Sequence, residues 1–138
     1  MSDMLPEGVS FLDFQLHGDE RGGLIVGEAG VSVPFPIARV YTIFHSLSDV
    51  VRGCHAHIDM RQLILNVTGS FDLLLDDGKI CKTIRMEHPG QGVLIAGYVW
   101  RELKNFSENS VINCFADKKY VDCIYINTYE EFLEGLDK

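Results

Sequence analysis

The chain has 138 residues, a formal net charge of -8, and apolar and charged fractions of 46% and 23%, which are ordinary for a globular protein. This length suits one domain, residues 1–138, built on a single core. The acidic balance excludes a nucleic-acid binder, because phosphate backbones need a basic face. No apolar run approaches the ~20 residues of a membrane helix, so no membrane partner is expected.

Met1 to Gly8 lacks the basic-then-apolar pattern of a signal peptide. Cys54, Cys81, Cys114 and Cys123 are scattered without a Cys-x-x-Cys pair, the usage of free thiols in a reducing compartment. A cytoplasmic location is the expectation.

In chain order, residues 9–16 alternate apolar and polar and predict a first strand. Asp19-Glu20-Arg21-Gly22-Gly23 predicts a turn, and Leu24-Ile25-Val26 a second strand. Pro34 and Pro36 keep the next segment extended. Residues 37–44, rich in β-branched and aromatic side chains, predict a strand with Arg39, Tyr41 and Ile43 on one face. Strands over 62–67 and 71–75 bend at Gly69. Asp77-Gly78 is a tight-hairpin signal before a returning strand over 80–86, since such a turn wants positive φ. His88-Pro89-Gly90 turns again, and strands over 92–96, 100–106 and 111–116 follow. Thr128-x-x-Glu131 is a capping box that opens the one predicted helix, residues 129–136. About ten strands and a short terminal helix predict an all-β sandwich or barrel, because crossover helices are missing.

Chemistry concentrates in Arg52-Gly53-Cys54-His55-Ala56-His57. Two histidines one residue apart on a strand share a face, so their rings converge on one volume. Imidazoles accept and donate protons near neutrality. With the Tyr41 phenol and local arginines they suit proton transfer beside a carbonyl. Arg52, just ahead of the pair, is an arginine that could meet an anionic small molecule. Arg21, Arg39, Arg61 and Arg101 are the other arginines that could gather against an anion. Trp100 reads as core or pocket wall. His17, His45 and His88 read as solvated, Tyr120, Tyr125 and Tyr129 as packing, and Glu130, Glu131, Glu134 and Asp137 as a solvated acidic face.

The spacing Gly53-x-His55-x-His57, followed by Gln62 and Gly69, resembles the first signature of the cupin superfamily, an all-β jelly-roll barrel. Where metal-binding cupins carry a glutamate and a later histidine, this chain has Gln62 and Arg101, so no catalytic metal is expected.

Five segments together resemble the sugar 3,4-ketoisomerase family over most of the chain. They are Asp19-Glu20-Arg21-Gly22, Ile37-Ala38-Arg39-Val40-Tyr41, the histidine segment, Leu73-Leu74-Leu75-Asp76-Asp77-Gly78 and Val99-Trp100-Arg101-Glu102. The resemblance implies a cofactor-free isomerase that moves the carbonyl of dTDP-4-keto-6-deoxy-D-glucose from C4 to C3 through an enediol. Its product would feed synthesis of 3-amino-3,6-dideoxysugars for a lipopolysaccharide or S-layer glycan. It implies His57 as the favoured base, His55 and Tyr41 as partners in proton transfer, and Arg52, Arg21, Arg101, Gln62 and Trp100 as substrate-binding candidates. It also implies a homodimer. Many family members carry Trp-His where this chain has Trp100-Arg101, which leaves the C4 configuration of the product, galacto or gluco, open. The rival readings are a C3 or C5 nucleotide-sugar epimerase and a non-catalytic nucleotide-sugar-binding cupin.

Overall fold

The structure is a computed structural model that describes residues 4–136. Met1, Ser2 and Asp3 of the amino terminus and Asp137 of the acidic face lie outside the described residues.

Two five-stranded antiparallel sheets face each other as a jelly roll. The first has the order β1 (Val9–Phe11), β9 (Gly92–Ile95), β6 (Gln62–Thr68), β11 (Val111–Ala116), β4 (Arg39–Phe44). The second has the order β12 (Ile124–Ile126), β5 (Arg52–Ile58), β10 (Trp100–Lys104), β7 (Phe71–Asp76), β8 (Cys81–Met86). Strands β2 (Leu16–Asp19) and β3 (Gly22–Ile25) form a separate hairpin, and α1 (Tyr129–Gly135) closes the chain.

The alternating pattern over 9–16 is not one strand. After Phe11, Leu12 and Phe14 still donate backbone bonds to Gly92 and Gly90. The chain then leaves β9 and re-forms as β2, whose turn with β3 carries Glu20 and Arg21. The segment between β3 and β4 buries Val33 and Phe35 on the outer face of β6, against Leu63 and Leu65. Strand β6 is therefore buried on both sides, which explains its nearly continuous apolar run.

The main core lies between the sheets and includes Ile64, Leu73, Leu75, Ile95 and Ile112. A smaller cluster lies outside the second sheet, where Phe132 of α1 packs on Ala56 and Trp100. Thr128 begins that helix as predicted: its hydroxyl accepts from the Glu131 amide and bonds the Glu131 carboxylate, both at 3.1 Å.

Strand β5 carries the feature that matters most for the site. Arg101 pairs with His55 and Glu102 with Gly53, so one extra residue is inserted on β5. Gly53 and Cys54 both have positive φ, 83° and 53°. Strict alternation would put Arg52 and His55 on opposite faces. The bulge restores Arg52 to the side of His55, opposite the inward-facing Leu103.

Phe132 is fully buried and stacks on Tyr98 with centroids 4.8 Å apart. Phe132→Ala should cost about 3–4 kcal/mol through the cavity it leaves, read as a lower urea midpoint with an unchanged slope.

Candidate active site

Between the sheets lies a cavity of about 410 Å³, lined by Tyr41, Arg52, His55, Gln62, Arg101 and Cys114 among others. No carboxylate of the described residues lines it, although the chain as a whole is acidic.

Arg101 is the deepest charge, 2% exposed. It donates from Nη2 to the Val99 carbonyl at 3.0 Å and from Nη1 to Gln62 Oε1. A guanidinium only donates, so the amide of Gln62 is fixed in orientation. Its Nε2 then donates to Tyr41 Oη at 2.6 Å, so the phenol hydrogen turns to another acceptor, with the Cys114 sulfur beside it. Arg101 has no carboxylate partner among the described residues, and burial lowers its pKa to about 10, still cationic at neutrality. Burial and the neighbouring Cys114 thiol push the Tyr41 phenol well above its ordinary value, so it is protonated.

The two histidines point to one side, as their spacing predicts. Their rings are 4.5 Å apart and nearly perpendicular, at 83°. His55 Nδ1 lies 2.9 Å from the Gly53 carbonyl, an acceptor, so that nitrogen carries the hydrogen. Nε2 of His55 is then a lone pair, and it has no protein partner. His57 sits one ring deeper, 1% exposed and outside the cavity lining, with neither nitrogen partnered. Burial, then the Arg101 charge, lowers the pKa of His55 to about 4 and of His57 to about 2. Both rings are neutral at pH 7.

The other candidates divide. Arg52 reaches the cavity rim, where its Nε donates to the buried Ser46 hydroxyl at 2.9 Å. Arg21 stands at the tip of the β2–β3 hairpin, bound to Asp19 at 2.7 Å and away from the cavity of its own chain. Trp100 alternates with Arg101 and therefore faces outward under α1, its Nε1 donating to Glu102 at 2.9 Å. Two residues of the site were not singled out as candidates. Tyr125 lies against both imidazoles, and Ser46 holds Arg52. Strand β12 has three residues, too few for a periodic signal.

The family model FdtA, described as WxcM-like, C-terminal, matches residues 7–137. The TDP-4-oxo-6-deoxy-alpha-D-glucose-3,4-oxoisomerase of Aneurinibacillus thermoaerophilus is 34% identical over 127 residues, 92% of this chain and 91% of that one. The chain belongs to the sugar 3,4-ketoisomerase family. Among solved members, the TDP-quinovose 3,4-ketoisomerase WlaRB of Campylobacter jejuni is 38% identical with a TM-score of 0.84, covering 93% of this chain and 98% of that one. QdtA of Thermoanaerobacterium thermosaccharolyticum, a sugar 3,4-ketoisomerase solved in complex with TDP, is 30% identical with a TM-score of 0.89 over 96% and 97%. The expected cupin fold is thus the fold of the family.

A divalent cation does not fit the four positions that correspond to the metal ligands of metal-binding cupins. They present two imidazoles, an amide oxygen already bonded to a guanidinium, and that guanidinium itself, whose charge opposes a cation.

The neutral imidazoles have a consequence for stability. In the unfolded chain they take up protons near pH 6.5, whereas in the fold they resist to about 4 and about 2. The unfolded state binds more protons below pH 6.5, so this contribution is intact above that value and is lost as pH falls. By pH 5 the loss should be about 2 kcal/mol for His57. Urea midpoints of the parent should fall between pH 7 and pH 5, and those of a His55→Asn/His57→Asn chain should fall less.

Proposed function

We propose that this chain converts dTDP-4-keto-6-deoxy-D-glucose to a dTDP-3-keto-6-deoxyhexose without metal or organic cofactor. Family membership supports a TDP-sugar 3,4-ketoisomerase. The observation that carries the finer reading is the buried Arg101 guanidinium, its Nη atoms bonded to neutral groups and its Nε unpartnered among the described residues, beside two unprotonated imidazoles. An uncompensated buried cation costs several kcal/mol. A site that generates a negative intermediate offsets that cost at the moment of reaction.

The chemistry needs no electron acceptor. Removing the C3 proton sends its electron pair into a C3–C4 double bond while the C4 oxygen becomes an enediolate. Protonation of O4, loss of the O3 proton and return of a proton to C4 then leave the carbonyl at C3 and a hydroxyl at C4. His55 lines the cavity, and His57 is the base that the resemblance favours for the C3 proton. His55 is the second proton-handling ring, and both stay in the catalytic set. The protonated Tyr41, its oxygen held by Gln62, donates toward the C4 oxygen. Arg101 and Gln62 hold the negative intermediate and the phenol in register. At the rim, Arg52 has Nε engaged by Ser46 and its terminal amino groups free for the diphosphate. A cytoplasmic place in 3-amino-3,6-dideoxysugar synthesis follows from this substrate.

A homodimer belongs to the same proposal. Strand β4 is a free sheet edge with Val40 and Phe44 exposed, and the separate β2–β3 hairpin exposes Leu16 and Leu24. Arg21, at the hairpin tip, belongs to that surface. Light scattering should give twice the 15.5 kDa chain mass, and Leu24→Asp with Val40→Asp should shift the chain toward monomer. A parent that is monomeric at assay concentrations contradicts this part.

The purified chain, mixed with dTDP-4-keto-6-deoxyglucose and followed by NMR, should give a 3-keto product that a suitable aminotransferase traps. His55→Asn should slow turnover by about a hundredfold or more while TDP binding persists. Intact binding without turnover, or an epimerised 4-ketosugar, contradicts the proposal.

A further inference from the structure

Neither nitrogen of His57 has a hydrogen-bond partner among the described residues, yet its ring has a defined orientation. The orientation is set by aromatic contact. On one side is His55, nearly perpendicular. Next to it is Tyr125, the partner of His57 in the β5–β12 register, with centroids 4.5 Å apart and planes at 57°. Tyr125 also touches the His55 ring at 5.2 Å.

Tyr125 is weakly anchored by its own strand. Strand β12 has three residues, sits at a sheet edge and pairs only with β5. A second tie comes from the opposite sheet. Arg39 on β4 donates from Nη2 to Tyr125 Oη at 3.3 Å. Its guanidinium lies 5.1 Å from the Tyr41 ring centroid and 5.4 Å from that of Tyr120, within cation–π reach of both. Arg39 thus links the edge strands of the two sheets, as Arg101 and Gln62 link their middles.

We propose that Arg39 and Tyr125 are positioning residues for the imidazole pair: Arg39 fastens β12 across to β4, and the Tyr125 ring it holds keeps His57 perpendicular to His55. What the pair does chemically rests on the ketoisomerase reading, but the clamp itself does not. The titratable and charged groups around the pair are Arg101 from β10, Arg39 and Tyr41 from β4, Cys114 from β11 and Tyr125 from β12. Gln62 of β6 is neutral. The Arg39 charge is among those that disfavour protonation of either ring, so losing it should ease protonation as well as loosen the clamp.

The test uses the full chain labelled in its histidine rings, titrated by NMR without substrate from about pH 8 to about pH 4, together with steady-state kinetics. In the parent, both rings should stay neutral over most of that range. Arg39→Gln should raise at least one imidazole midpoint by about one pH unit and lower kcat by about tenfold to a hundredfold, with KM little changed. Arg39→Lys, which keeps charge and a donor, should recover most of both. Tyr125→Leu should let the His57 signal average, while Tyr125→Phe keeps the ring, loses the tie and falls between. Should Tyr125→Leu fail to fold, Arg39→Gln and Tyr125→Phe decide. Parent-like titration and kcat in those two variants overturns the proposal. So does a rise in KM alone with parent-like titration, which would make Arg39 a ligand contact. If the parent itself does not turn over the sugar, the ketoisomerase reading fails, and the substrate-free titration still decides the clamp.

Discussion

A guanidinium buried without a counter-charge is the constraint around which this barrel is arranged. Arg101 projects from the middle of the second sheet and meets Gln62 on the first, so its hydrogen bond spans the interior. Its donors dictate which way the Gln62 amide turns, and that amide dictates that Tyr41 accepts rather than donates to it. Its charge, added to burial, keeps both imidazoles neutral. A carboxylate at position 62 would neutralise Arg101 and remove the field that makes the cavity receptive to a negative intermediate. The amide satisfies the donor and leaves the field in place.

The second requirement is that Arg52 and both histidines of β5 lie on one side of the sheet, although alternation places only the histidines there. His55 and His57 share a face by spacing alone. Arg52 joins them because the backbone inserts a residue at Gly53-Cys54, where φ is positive twice. A glycine is the natural occupant there: a Cβ on Gly53 would approach the Arg101 carbonyl oxygen to 3.1 Å. The result is a cationic rim and a cationic floor inside an acidic protein, so net charge says little about what the cavity accepts.

Much of this was legible in the sequence because its signals are local. The histidine spacing, the face shared by Arg39, Tyr41 and Ile43, the Asp77-Gly78 hairpin and the Thr128 cap all depend on a few neighbouring residues, and all appear. The Gln62 and Arg101 departures from the metal-cupin pattern pointed to the same pair that forms the central bond. What was not legible depends on contacts made far along the chain. Residues 9–16 alternate as one strand would, yet the chain leaves β9 after Phe14. Trp100 sits beside Arg101 in sequence and so faces away from it in a strand. Tyr125 reads as a packing residue on a three-residue strand, and only its registration with His57 brings it to the site. Arg21 is at a hairpin tip, a place that sequence assigns but whose distance from the cavity it does not.

The central claim is that neutral imidazoles facing an unpaired guanidinium move a proton between adjacent carbons of a keto sugar. The most direct measurement is proton NMR of dTDP-4-keto-6-deoxyglucose incubated with the chain in D2O. The account predicts deuterium entering at C3 of recovered substrate and at C4 of product, with C5 unlabelled. Deuterium at C5, or no exchange at C3 while the nucleotide sugar is demonstrably bound, contradicts it.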